Sequence, residues 1–271
     1  MSRARRTATA LLVVGTVVLV AGALTGPWWS PGSPTAPRGL PYLPPGDTSG
    51  EGLALGTDGI GRDVWARVLH GGRDVVLVAL GATAVSGLLA PVLGTAAAMA
   101  GRRSGELLVR VLDVVTVVPA LLVLLVLATG WPGSPWALVV GIAVVSVPYS
   151  TRIVRAAVTS VLRTGFVEVA RARGDSARAV FRYDLLPSVA RPLLTDTAIR
   201  FVAALHLSAT AGFLGLGRGA PAPNWGRMVS DDLPGIELNP FAVLVPAALL
   251  VASSLLVGTL ADTVADRVGR G

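Results

Sequence analysis

Six apolar runs punctuate the chain, each near the roughly 20 residues a helix needs to cross a bilayer core. They fall at about 8–26, 75–99, 107–129, 136–154, 192–214 and 240–261. The fifth, PLLTDTAIRFVAALHLSATAGFL, is the most polar, because it carries Asp196, Arg200 and His206. Pro91, Pro119, Pro148 and Pro246 lie within or at the ends of other runs, where kinks are expected and neighbouring helices re-satisfy the freed backbone groups. The pattern predicts an all-α fold, a polytopic transmembrane helical bundle with six spans.

The polar stretches between the runs set its orientation. With the N-terminus in the cytoplasm, 17 arginines fall on or near the inner side and only Arg38, Arg62, Arg67, Arg73, Arg218 and Arg227 outside. That asymmetry is the positive-inside pattern and predicts a multi-pass protein of the cytoplasmic membrane with both termini cytoplasmic. The first run, after SRARR, could be a cleaved signal peptide, but its length exceeds an ordinary signal core and favours a retained anchor. The resulting organisation is an N-terminal transmembrane helix (1–26), an extracytoplasmic segment (27–73), a transmembrane core (74–262) with a cytoplasmic loop at 163–190, and a cytoplasmic tail (263–271).

The outer segment begins with Trp28 and Trp29, suited to an interfacial anchor, and continues with seven prolines between Pro27 and Pro45 that oppose regular structure. In LGTDGIGRDVWARVLHGGR, Thr57 or Asp58 can cap a short helix whose pairs Val64/Val68 and Trp65/Leu69 predict an amphipathic element on the outer surface. Its glycines follow no strand, which argues against a phosphate loop.

The cytoplasmic loop contains EVARARGDSARAVFRYDLLP, residues 168–187, too short and too charged to cross a membrane. Phe166, Ala170 and Gly174 recur on one helical face; Gly174 suits a helix end, and Asp175 or Ser176 can cap a second helix bearing Ala177, Val180, Phe181 and Leu185. The spacing predicts helix, glycine joint, helix. By spacing alone this is equally a docking surface for another protein or an interfacial helix held by anionic headgroups.

Composition narrows the chemistry. The chain is 52% hydrophobic and 14% charged, with a mean hydropathy of +0.67 and a net charge of +7. The positive residues are dispersed between apolar runs and not gathered in a patch with aromatics, which opposes nucleic-acid binding. All 23 basic residues are arginine, so a phosphate loop ending in GK[ST] is excluded and the chain holds no ATPase site of that type. There is no cysteine, and the two histidines, His70 and His206, belong to different segments, so neither a metal centre nor a catalytic residue is assigned.

Intramembrane charge would suit a proton-coupled secondary transporter. Asp113 and Asp262 lie near cytoplasmic ends, however, and Asp196 with Arg200 forms an i, i+4 pair, so local pairing explains them more simply. An intramembrane hydrolase would require a nucleophile and base in one place, and no such constellation is visible. After the fifth run, Asn224, Trp225 and Met228 mark either an outer gate or binding-protein contact, or an interfacial tryptophan in a proline-rich turn.

Glu168, Val169, Ala170 and Gly174, followed at the right distance by Leu186-Pro187, resemble the EAA loop of ABC transporter permeases, EAA-x3-G-x9-I-x-LP. Val169 replaces the first alanine and Asp184 the isoleucine. The segment 55–73, with Gly56, Thr57, Asp58, Gly61, Arg62 and Asp63, is similar to the LGTDxxGRD motif of dipeptide, oligopeptide and nickel permeases, in the second of their two paired membrane subunits. LDVVTVVPALLV (112–123) and GFLGLGRGAPAPNWGRM (212–228) are similar to further stretches of that family, in the same order.

The resemblance implies a type I ABC importer permease that translocates peptides, nickel chelates or another small solute. It implies as partners a second permease subunit, two ATPase subunits carrying ATP and Mg, an extracytoplasmic binding protein and membrane lipids. It also implies that Glu168, Val169, Ala170, Arg171, Arg173, Gly174, Asp175, Leu186 and Pro187 form the ATPase-coupling interface.

Overall fold

The computed structural model describes residues 3–46, 53–163 and 186–268. Among them the regular structure is helical: α1 (Arg3–Trp29), α2 (Val64–Met99), α3 (Gly101–Val117), α4 (Ala120–Gly130), α5 (Pro135–Leu162), α6 (Leu186–Phe213), α7 (Trp225–Asp232), a 3-10 turn (Leu233–Gly235) and α8 (Phe241–Val268). Two isolated β-bridges, Pro37 with Arg62 and Thr57 with Asp63, organise the segment before α2.

Four helices, α1, α2, α5 and α8, are long and apolar enough to cross a membrane, and α3 with α4 makes a fifth such unit if its two bent halves are counted together. α6 is 28 residues long but falls outside that set, because Asp196, Arg200 and His206 lower its apolarity. The expected third span is therefore broken, with α3 and α4 meeting at 80°. The cause is local. Val118 precedes Pro119, is driven to an extended ψ of 127°, and cannot continue α3. Pro91, Pro148 and Pro246, in contrast, lie inside continuous helices.

The short outer helix expected around residues 57–73 is not separate. Asp63, not Thr57 or Asp58, caps α2, accepting bonds from the amides of Trp65 (2.9 Å) and Ala66 (3.4 Å). From there the helix runs without interruption into the span, because Val64, Ala66 and Val68 face the core and leave no exposed break.

α2 is the central element, packing most extensively on α5 and also on α6 and α1. Small residues allow that approach: a Cβ on Gly94 would come within 2.7 Å of Val154 Cβ. The main core gathers Val75, Val76 and Ala79 of α2, Leu138 and Ile142 of α5, and Ala204 and Leu205 of α6. A smaller cluster around Val154, Val158 and Val189 joins α5 to the start of α6 at the opposite end. Thr83 Oγ1 donates to Ala79 O of its own helix at 2.7 Å and so enters the interior with its donor satisfied.

Candidate functional site

At one end of the bundle, the LGTD segment folds into a buried polar clasp. Gly56 and Gly61 adopt φ of 72° and 81°, left-handed values that favour glycine, and so reverse the chain around Asp58. The Asp58 carboxylate accepts from the amides of Ile60 (3.1 Å) and Arg62 (2.8 Å) and from Arg62 Nε (2.6 Å). Thr57 Oγ1 donates to Leu40 O (2.6 Å) and accepts from the Leu43 amide (2.7 Å), tying the proline-rich segment to the turn.

Arg67, fully buried in the first turns of α2, lies 3.2 Å from Asp58 Oδ2 through its Nε, close enough for an ion pair but not aligned for a hydrogen bond. Asp58 is thus a carboxylate held between two guanidinium groups. Such a pair stabilises a fold only because additional donors satisfy its remaining lone pairs.

The clasp also reaches across the sequence. Asn239 Nδ2 donates to Leu55 O (3.0 Å) and Thr57 O (2.9 Å), while its Oδ1 accepts from the Phe241 amide at the start of α8. The Gly59 amide donates to Asp232 Oδ1 at 3.0 Å. Burial pushes the Asp232 carboxyl up to about 6, the Gly59 hydrogen bond opposes the rise, and the negative charge of Asp58 adds to it. Tyr42, packed against Gly235, is raised by burial and then by Asp232 and Asp58.

Sequence reasoning found the Gly56–Asp63 half of this unit but missed Tyr42, Arg67, Asp232 and Asn239. The signal lay in DDLPGIELNP, where paired acids and an Asn-Pro sit in an otherwise apolar neighbourhood.

Asn224, Trp225 and Met228 are not displayed on an outer surface. Asn224 caps α7, accepting from the amides of Gly226 (2.9 Å) and Arg227 (3.4 Å). Trp225 Nε1 donates to Val68 O at 2.8 Å and its ring covers Gly71 and Gly72, leaving it and Met228 buried. Trp225 is therefore a packing residue between α7 and α2, not an interfacial tryptophan in a turn. Its N–H has a carbonyl partner in the interior, which removes the reason to seek the interface.

Glu168, Val169, Ala170, Arg171, Arg173, Gly174 and Asp175 lie outside the described residues. Leu186 and Pro187 open α6. Two of the charges expected to pair do so: Arg152 donates from Nε (2.9 Å) and Nη2 to Asp113 Oδ1, and Arg200 Nε donates to Asp196 Oδ1 at 3.2 Å, while the Asp262 side chain lies outside the described ones. Tyr149 receives both guanidinium groups against its ring, at 5.8 Å for Arg152 and 5.4 Å for Arg200. His206 is bonded to Ser254 at 2.9 Å between α6 and α8.

Residues 90–270 match the family of the binding-protein-dependent transport system inner membrane component. The chain belongs to that family. This inner-membrane component is 30% identical over 253 residues to the di/tripeptide transport system permease protein DppC of Pseudomonas aeruginosa, covering 92% of this chain and 84% of that one. It is 32% identical over 212 residues to the dipeptide transport system permease protein DppC of Alkalihalophilus pseudofirmus, covering 78% and 70%.

A solved structure of the inward-facing MetNI methionine ABC transporter shares the fold, with a TM-score of 0.64 at 18% identity over 75% of this chain and 97% of that chain. A crystal structure of an amino acid ABC transporter does so with a TM-score of 0.57 at 19% identity, over 71% and 90%. The chain is a membrane-embedded ABC permease that works with other ABC components. The clasp joins residues before the family match, Thr57 and Gly59, to Asn239 and Asp232 within it.

Proposed function

We propose that this permease is one of two paired membrane subunits of a binding-protein-dependent importer that carries short peptides inward. The observation that carries the reading is the 30% identity to a di/tripeptide permease over 92% of the chain. Its N- and C-termini lie in the cytoplasm, as the arginine distribution favours. The clasp then faces the outside, where a binding protein delivers cargo, and the 163–190 loop faces the ATPases.

Energy enters from partner chains, consistent with the absence of lysine from this one. ATP and Mg sit on two ATPase subunits. Glu168, Ala170 and Gly174 belong to the helix that docks on them, and closure of the ATPases moves these helices as rigid levers on the spans. A small face at Ala170 and Gly174 permits close approach of the ATPase surface. Thr57 and Asp58 take no part in phosphate chemistry; they fix the outer loop from which the second span begins.

Uptake of a labelled dipeptide by cells deleted for this chain and complemented with it tests the reading. Uptake is restored by the chain, stops on ATP depletion and survives collapse of the proton gradient. Uptake that follows the proton gradient and ignores ATP contradicts it.

A further inference from the structure

Between α3 and α5, at the end opposite the clasp, lies a cleft of about 740 Å³ that neither the outer clasp nor the core uses. Its lining includes Asp113 from α3, Arg152, Arg155, Thr159 and Ser160 from α5, and Arg163, which caps α5. One carboxylate thus stands against three guanidinium groups, with two hydroxyls beside them. Asp113 Oδ1 already accepts from both Nε and Nη2 of Arg152, which fixes that arginine at one end of the cleft.

The rest of the lining follows the last turns of α5, where Arg152, Arg155 and Thr159 recur on one helical face and Arg163 caps the helix one turn further on. Towards the middle of the bundle, Val117 continues the Val109 and Asp113 row of α3 and is 82% exposed, and Tyr149 lies one turn before Arg152 on α5 and is 38% exposed. The surface therefore changes from cationic to apolar along the helix axis within about one turn, the order in which a phospholipid presents phosphate and then acyl chain.

We infer that this cleft is a binding site for the phosphate headgroup of an anionic phospholipid of the inner leaflet, with Arg155 and Arg163 as its principal cationic contacts. The inference rests on the proposed orientation, which sets this end at the cytoplasmic boundary of the bilayer. Cationic clefts between transmembrane helices at that boundary suit anionic headgroups, because the arginines stay hydrated while their stems lie on apolar surface. A free phosphate shares the headgroup chemistry but has no use for the flanking Val117 and Tyr149. The apolar continuation favours the lipid.

The test uses the assembled transporter, purified with its partner subunits in detergent and equilibrated with equal amounts of phosphatidylglycerol and phosphatidylcholine, with retained lipid measured by native mass spectrometry. Phosphatidylglycerol is retained preferentially. In R155Q/R163Q its retention falls about thirtyfold, as expected for losing two arginine contacts to an anionic headgroup. R155K/R163K, which keeps the charge, retains most of it, and size-exclusion profiles confirm that both variants assemble.

Equal retention by R155Q/R163Q and the unsubstituted complex overturns the site. Displacement by millimolar inorganic phosphate overturns the lipid assignment, and so does loss of the lipid whenever the ATPases are bound. A separate arm isolates the orientation: the chain has no cysteine, so S160C provides a single thiol in it for a membrane-impermeant reagent. Labelling of S160C in intact cells refutes the orientation, whereas lipid retention in detergent reads the cleft independently of it.

Discussion

Arg62 Nε lies 2.6 Å from Asp58 Oδ2, and both side chains are buried beside the likewise buried Arg67. Removing the negative charge leaves two guanidinium groups facing each other with only Asp232 and Asp231 to offset them. D58N is therefore expected to destabilise the chain by about 3 kcal/mol or more, the cost of breaking a buried ion pair. Thermal unfolding of the purified complex measures it. Unchanged stability means that the clasp is not held by this carboxylate.

Asn239 joins the clasp to α8 through two carbonyls and one amide. N239A strands the Leu55 and Thr57 carbonyls and is expected to cost about 1–3 kcal/mol. Proteolysis at the proline-rich segment provides the readout, since the loop loses its tether to α8 while the spans remain packed.

The buried Asp232 gives the clasp a pH dependence with a definite sign. Its carboxyl is raised from 3.8 to about 6, so the folded chain binds the proton more tightly than the unfolded one. The Asp232 contribution to stability is greatest below pH 3.8, declines as pH rises towards 6, and is flat above. D232N keeps an oxygen acceptor for the Gly59 amide but cannot titrate. Comparing melting curves of native and D232N protein between pH 5 and 7.5, about one unit or more either side of the midpoint, isolates the effect: the native chain loses stability over that interval relative to D232N. Parallel curves contradict the assignment.

Asp113 and Arg152 behave differently from Asp58 and Arg62. Both are about two-fifths exposed, so water screens their attraction. D113N is expected to change stability by less than about 1 kcal/mol. A loss several times larger indicates that the pair is buried in the assembled transporter.

Much of this architecture was legible in the sequence because a bilayer demands long apolar helices, and their lengths can be counted. The break at Pro119 was visible only as an expected kink, since a proline alone does not distinguish a bend inside a helix, as at Pro148, from an 80° break. The continuity of α2 was hidden because the true cap, Asp63, follows two other capping candidates, Thr57 and Asp58, whose side chains serve the clasp instead. Asp232 and Asn239 were illegible as partners of residues 55–59. Nothing local records a contact across more than 170 positions; only folding brings α7 and α8 to the LGTD turn. Trp225 misled for a related reason, as its carbonyl partner Val68 lies 157 residues away.

ATP hydrolysis by the purified complex, measured with and without peptide-loaded binding protein, tests the proposed role most directly. The account predicts that peptide-loaded binding protein stimulates hydrolysis in the native complex, and that G174W abolishes the stimulation together with transport while leaving the membrane subunits paired. Peptide transport by G174W at the native rate, still coupled to ATP hydrolysis, contradicts it.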